Sequence, residues 1–282
     1  MPDKIGLLVA PKLGDWTRYI QWFSGALRHN IPIMKLPNGG ADGNSQAIVE
    51  AAVKLANDPD VKVIVTAGTG PAKACKAVTL LNGKPFVYAS VGDPKLSDLV
   101  PGPQQNNFTG GNNRQAVKKV VEQRVDYMLT NAVFLEPFAI VGDYGREPMK
   151  TAMDLAYDYL TKIKAKRAQL APITSQNDIA TFVRDLRSQS GINSLYVCSD
   201  MFLTVNSTLL NTEAHNLQPP MATMFEFEEH AQAHGADDYY GSDFEVLFKT
   251  AANYVDEILD GAAPIDLPIY IAPLKGLSLI HI

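Results

Sequence analysis

The chain has 282 residues, 46% of them hydrophobic and 20% charged, with a formal net charge of −5. That is long enough for two ordinary α/β domains with separate cores, and too apolar for a disordered chain. Lysine and arginine are scattered, the densest run being Lys162 to Arg167 at a predicted helix end, so there is no basic footprint for nucleic acid.

The start, Met-Pro-Asp-Lys-Ile-Gly6, leads straight into a first strand at 5–10 with no charged n-region, apolar h-region or cleavage site, so no export signal is expected. After Pro-Lys-Leu-Gly-Asp15, apolar residues at Trp16, Tyr19, Ile20, Phe23 and Leu27 predict a helix over 16–29. A second strand follows at 31–36, then an amphipathic helix at 44–57 closed by Asp-Pro-Asp60, then a third strand at 61–67. That strand runs into Gly68-Thr-Gly-Pro71 and a helix over 71–81 with Pro71 in its first turn. The fourth strand, from Pro85 to Ser90, runs into Val-Gly-Asp-Pro94. Residues 100–113 are dense in Pro, Gly and Asn and read as an irregular connection, the first crossover between two similar halves.

A second set follows: helix 114–131, strand 137–141 into Gly-Asp-Tyr-Gly-Arg-Glu-Pro148, helix 147–165, strand 169–173, helix 177–189, and strand 194–199 into Asp200-Met-Phe202. Then come a helix at 205–215, a strand at 221–225 and a short helix around 228–234. Val246, Leu247, Ala251, Tyr254, Val255, Ile258 and Leu259 mark a last helix, stopped by Gly261 and Pro264. Residues 267–272 read as a last strand or hinge passage, and 276–282 continue no pattern. Cys75 and Cys198 fall inside regular elements, without CxxC spacing or a neighbouring histidine, so they read as buried, unpaired side chains and offer no metal site. No apolar run approaches the ~20 residues that span a bilayer.

Strands alternating with helices predict an α/β fold of two doubly wound parallel-sheet lobes. Such sheets bind ligands at the carboxyl ends of their strands, so the loops there are the candidate site. Gly68, Thr69 and Gly70 would aim backbone N–H groups at a ligand carboxylate, or simply make a tight turn. The stretch is neither a Walker A nor a dinucleotide fingerprint, because Lys73 stands where a third glycine is needed; no nucleotide cofactor is expected. Ser90 ends another amide-rich turn. Asp93, Asp143 and Asp200, with Glu147, suit a ligand ammonium, the alternative being that each caps the next helix. Asp243 is a further ligand candidate.

Trp16, Tyr144, Phe202, Tyr239 and Tyr240 lie in or beside these loops; Trp16 and Phe202 are the preferred pocket walls, and the two adjacent tyrosines cannot both face inward from a strand. Arg146 would clamp a carboxylate or pair with Glu147 or Asp143, and Lys12 poses the same choice. His230 and His234 lack the His-Glu-x-x-His context, Ser90 lacks a nucleophile elbow, and nothing assembles an active site, so no enzyme is expected.

Four stretches carry a family resemblance: Ile64-Val-Thr-Ala-Gly-Thr-Gly-Pro-Ala72, Phe86-Val-Tyr-Ala-Ser-Val-Gly-Asp-Pro94, Gln105-Asn-Asn-Phe-Thr-Gly110, and Tyr239 to Ala252 with Ile258-Leu-Asp-Gly-Ala262. Their order and spacing resemble the ABC transporter substrate-binding proteins of the type I periplasmic-binding-protein fold, in particular the group with tryptophan- and tyrosine-binding lipoproteins. The resemblance implies a first lobe of 1–112 plus about 238–264 and a second of 113–237 plus about 265–282, joined by three crossovers and closing like a hinge on a ligand in the cleft between them. It further implies a small-molecule ligand, an amino acid or similar zwitterion, passed to a membrane permease by a monomer without cofactor or catalytic residues. The resemblance points to a periplasmic or extracytoplasmic location, whereas the missing signal leaves a cytoplasmic ligand-sensing module of the same fold as the alternative. A doubly wound enzyme is the further one.

Overall fold

The computed structural model describes residues 3–9, 17–35, 45–80, 82–92, 94–95, 97–102, 105–112, 117–145, 149–174, 177–198, 201–226, 228 and 234–276. In chain order its first half comprises β1 (Lys4–Val9), α1 (Thr17–Ala26), β2 (Ile33–Lys35), α2 (Ser45–Asn57), β3 (Val61–Ala67), α3 (Thr69–Thr79), β4 (Phe86–Val91), β5 (Phe108–Asn112) and α4 (Val117–Thr130). There follow β6 (Phe138–Gly142), α5 (Met149–Asp158) running into a π-helical turn (Tyr159–Ile163), β7 (Ala168–Pro172), α6 (Ile179–Ser190), β8 (Ser194–Val197), α7 (Met201–Val205), α8 (Ser207–His215) and β9 (Ala222–Phe225). The last described elements are β10 (Asp238–Ser242), α9 (Phe244–Leu259), a 3-10 turn (Pro264–Asp266), β11 (Tyr270–Ile271) and β12 (Leu274–Gly276). Two compact units divide the chain: Met1–Gln115 with Asp243–Pro273, and Ala116–Ser242 with Leu274–Ile282.

The first unit is a six-stranded sheet in the order β11-β5-β4-β3-β1-β2, parallel throughout. Its strands are near-continuous apolar runs because helices cover both faces. Ile5, Leu7, Val63, Val65 and Val87 pack under α1 and α9 against Phe23, Leu247, Phe248 and Val255. Leu8, Ile64, Phe86, Tyr88 and Phe108 pack under α2 and α3 against Ala52, Leu55, Ala72 and Cys75. The α/β reading is borne out. The irregular connection expected over 100–113, however, contains β5, in register Phe86↔Phe108 and Tyr88↔Gly110. Glycine hides this strand from a propensity reading, yet the sheet requires it: a Cβ at Gly110 would lie 2.1 Å from the Tyr88 carbonyl oxygen.

In the same unit α1 and α9 run side by side. Tyr19 meets Phe244 and Phe248 near their starts, with ring centroids 5.6 and 5.4 Å apart. Beyond the end of α1, the buried Asp256 accepts the backbone N–H groups of Arg28 (2.8 Å) and His29 (3.1 Å) and lies 2.7 Å from His29 Nδ1. Both N–H groups lie just past the C-terminus of α1, outside its hydrogen-bond ladder, and a distant helix supplies their acceptor. Burial by itself would raise the Asp256 carboxyl, but the Arg28 and His29 donors outweigh it and hold the group below the usual carboxylate range. A depressed carboxyl stabilises the fold above its unfolded value, and that contribution is lost as pH falls through the folded value. Asp256→Asn is therefore expected to be less stable than wild type at pH 7, and to lose less on acidification from pH 5 to pH 3, as read by urea unfolding across that range. An equal acid response in both would contradict the assignment.

The second unit repeats the order as β12-β10-β9-β8-β6-β7, with β12 alone antiparallel, to β10. Ala139, Val141, Leu195 and Val197 pack against Val183, Leu186 and Leu210 of α6 and α8. Ile140, Tyr196 and Met224 pack on the other face against Val121, Val125, Met153 and Ala156 of α4 and α5. Capping fixes both ends of α6: Asp178 accepts from Thr181 N, and Gly191 takes the left-handed conformation at φ 63°.

Two segments lie in the unit opposite to that expected. Residues 238–242 pair with β9 in the second unit (Asp238↔Met224), and 265–273 belong to the first, where Tyr270 pairs with Gly111. The helices exchange likewise: α4 follows β5 of the first unit but packs in the second, and α9 follows β10 of the second but packs in the first. Cys75 and Cys198 are both buried, and neither is in a disulfide. Burial pushes the Cys75 thiol up, so neither cysteine is expected to react with iodoacetamide until the protein is unfolded; labelling in the native state, read by intact mass, would contradict this burial. Among the described residues no helix is long and apolar enough to cross a membrane.

Candidate functional site

Strand order selects the loops that matter. In the first unit the chain leaves β1 for β2 on one side and returns to β3 on the other, so the topological switch point falls at the carboxyl ends Val9 and Ala67. In the second, β6 stands between β7 and β8, and the switch falls at Gly142 and Val197. A doubly wound sheet leaves a crevice open at that point, because the helices on its two sides diverge there. The described residues that follow these strand ends are Gly68 in the first unit, and Asp143 to Gly145 and Cys198 in the second.

In the first unit Gly68 is the N-cap of α3 at φ 93°, a conformation natural to glycine, and its own N–H is spent on the Ala89 carbonyl at 3.2 Å. The first turn of a helix leaves its N–H groups without intrahelical acceptors, and Pro71 has none to leave, so the donors open at this end are those of Thr69 and Gly70. The Thr69 hydroxyl accepts the Gly92 N–H at 3.5 Å, tying the β3 turn to the β4 turn. Ser90, 8% exposed, sits at φ 59°, where the β4–β5 register shifts between Tyr88 and Val91. A non-glycine residue there is strained, and such strain is held only where surrounding structure over-determines it. Lys12, Trp16 and Asp93 lie outside the described residues. Asp243 caps α9, accepting from Val246 N at 3.2 Å.

In the second unit Asp143 follows β6 and its Oδ1 accepts the Gly145 N–H at 3.1 Å, so this carboxylate shapes its own loop. The Tyr144 hydroxyl donates to Asp154 Oδ1 at 2.7 Å, and Lys150 binds the other oxygen at 2.6 Å while lying 5.0 Å over the Tyr144 ring. Lys150 and Tyr144 together hold the Asp154 carboxyl below its usual range. Phe202 is half-buried against the core under α6 and α8. Tyr239 is buried, and its neighbour Tyr240 stacks on Tyr127 of α4 at 4.7 Å, on opposite faces of β10 as alternation requires. Arg146, Glu147, Asp200 and His230 lie outside the described residues.

One group escaped the sequence reading. Arg124 of α4 is 3% exposed; its Nε donates to the Tyr240 carbonyl at 2.7 Å and a terminal nitrogen lies 3.0 Å from Glu226 Oε2. The signal for it was present: Arg124 stands on the buried stripe of α4 with Val121, Val125 and Met128, where a solvated charge does not belong. Among the described residues no group of three or more His, Cys, Asp and Glu is arranged to hold a metal ion.

A family model described as ABC transporter substrate binding protein matches residues 29–278. No curated protein matches the sequence. Similar solved structures include a conserved domain protein from Vibrio cholerae O1 biovar El Tor, 18% identical over 97% of this chain and 90% of that one, with a TM-score of 0.73. Another is an ABC domain from Streptococcus pneumoniae in complex with L-Trp, 17% identical over 96% and 91%, TM-score 0.69. A third is the ligand-free, open structure of a substrate-binding protein with adhesive properties from Clostridium difficile, 19% identical over 97% and 91%, TM-score 0.69. These identities establish likeness of fold.

Proposed function

The chain belongs to the ABC transporter substrate-binding protein family, and we propose that its solute is an amino acid or a similar zwitterion, captured by closure of the two units and delivered to a membrane permease. Membership implies the small-molecule ligand and the permease. The zwitterion, the closure, a monomeric state and an extracytoplasmic location are our reading.

The observation that carries it is a division of chemistry between the two switch points. The first unit's loops offer hydrogen-bond donors: the N–H groups of Thr69 and Gly70 at a helix start, beside the strained Ser90 turn. Such an end suits a carboxylate, since the aligned peptide dipoles place partial positive charge there. The second unit's loops offer carboxylates, Asp143 with Glu147 and Asp200, to which we assign the ammonium together with Asp93 of the first. A desolvated ammonium needs both charge and hydrogen bonds to offset its lost water. Trp16 and Phe202 then flank the side chain, with Tyr144 contributing its ring, because its hydroxyl is occupied by Asp154. The L-Trp named for the pneumococcal structure is consistent with an aromatic-walled site.

Calorimetric titration of Asp143→Ala and Asp200→Ala tests the assignment. Losing one partner of a desolvated charge pair costs about 2–5 kcal/mol, so affinity for the solute is expected to fall at least ~30-fold while the thermal midpoint moves little. Wild-type affinity in both variants would remove these aspartates from the site.

A further inference from the structure

The buried guanidinium of Arg124 touches three neighbouring strands of the second unit at once. It lies 5.4 Å over the Tyr196 ring of β8, with a terminal nitrogen 3.4 Å from the Tyr196 hydroxyl. It binds Glu226, the residue directly after β9, and donates to the carbonyl of Tyr240 in β10. Tyr196 is fully buried and Glu226 is 5% exposed. Backbone packing here is equally tight: a Cβ at Gly241 would lie 2.0 Å from the Glu226 carbonyl oxygen.

A buried ion pair of this kind contributes little net stability, because desolvating both charges offsets their attraction, and apolar residues of similar volume would hold the helix to the sheet as well. What an apolar pair does not supply is direction. The planar guanidinium fork fixes the angle and distance of each partner, so it sets where the strands lie and not merely that they pack. One of those strands, β8, ends at the switch point: Tyr196 is two residues before Cys198, the residue directly after it.

We infer that Arg124 is a positioning residue for the solute site, holding Tyr196, Glu226 and Tyr240 in fixed relation so that the carboxyl ends of β8, β9 and β10 present their loops in one geometry. The inference rests on the proposed function for the link to solute, but its structural half does not. It is tested with the double variant Arg124→Met/Glu226→Met, which removes both charges at similar volume and so retains the fold, alongside Arg124→Lys, which keeps charge but loses the fork.

Amide hydrogen exchange on the ligand-free proteins is expected to quicken at least ~10-fold at 194–198, 222–226 and 238–242 in the double variant, with β6 and β7 unchanged. Calorimetric affinity for L-tryptophan is expected to fall at least ~10-fold in both variants, with thermal midpoints within a few degrees of wild type. Exchange that is unchanged, or that quickens equally on β6 and β7, would overturn the inference, as would local quickening with wild-type affinity. If wild type itself gives no heat with L-tryptophan, the aromatic amino-acid reading is what fails, and the exchange pattern still decides the role of Arg124.

Discussion

Arg124→Met made alone is expected to destabilise the second unit by about 3–5 kcal/mol, far more than the double variant that also replaces Glu226. The asymmetry follows from burial. With both partners present, Glu226 at 5% exposure has a cation 3.0 Å away; with the cation gone, its charge remains in a site that water barely reaches. Removing the second charge removes that penalty. Tyr196 and Tyr240 lose a partner in either variant, and a neutral hydroxyl or carbonyl left unmet costs only about 1–3 kcal/mol. Urea unfolding of the two variants measures the difference directly, as a shift in midpoint at constant slope. Equal destabilisation by the single and the double variant would show that Arg124 acts through packing of its stem and not through its charge.

Gly110→Ala and Gly241→Ala are the second large expectation, one for each sheet. In each, the missing Cβ would stand about 2 Å from a backbone carbonyl oxygen, that of Tyr88 in β4 for Gly110 and that of Glu226, directly after β9, for Gly241. A flexible side chain would yield, but backbone held in a ladder, parallel to β4 at Gly110 and antiparallel to β12 at Gly241, does not. The strands must separate, and overpacking of this kind costs about 1–3 kcal/mol or more. Gly83→Ala serves as the control, since nothing lies within 4 Å of a Cβ there, although its φ of 67° adds local strain. Thermal unfolding is expected to rank Gly110→Ala and Gly241→Ala well below Gly83→Ala; a control as damaging as the sheet variants would mean that strain, not strand spacing, dominates.

These glycines also explain what the sequence did and did not disclose. β1, β3, β4, β6 and β8 are legible because strands covered on both faces must be apolar throughout, and each ends in a polar loop that opens a helix. β5 is not legible, because Phe108-Thr-Gly-Gly-Asn112 has the composition of a turn, and only its pairing with β4 shows why two glycines stand in a strand. The placement of 238–242 failed for a different reason. Which sheet a strand joins depends on pairing between residues far apart in the chain, here Asp238 with Met224 and Tyr239 with Phe225, and no local pattern encodes it.

The site divides in the same way. The Gly68-Thr69 turn and the Asp143 loop are visible as punctuation at strand ends, and strand order then makes them the switch-point loops. Ser90 was visible as a position, but its positive φ is a property of the fold and not of the residue type. Arg124 was passed over because a charged residue within a helix ordinarily faces water. Only its register with Val121, Val125 and Met128 places it inside.

Thermal unfolding of the purified, ligand-free protein against a panel of amino acids, small carboxylates, nucleosides and sugars tests the central claim most directly. A ligand at 100 times its dissociation constant adds about 2.7 kcal/mol, which for a chain of this size raises the midpoint by several degrees. The account predicts such a rise with one or more amino acids, tryptophan and tyrosine foremost, and none with the corresponding amines that lack the carboxylate. A rise with sugars or nucleosides only, or no rise with any compound in protein shown to be folded, would contradict it.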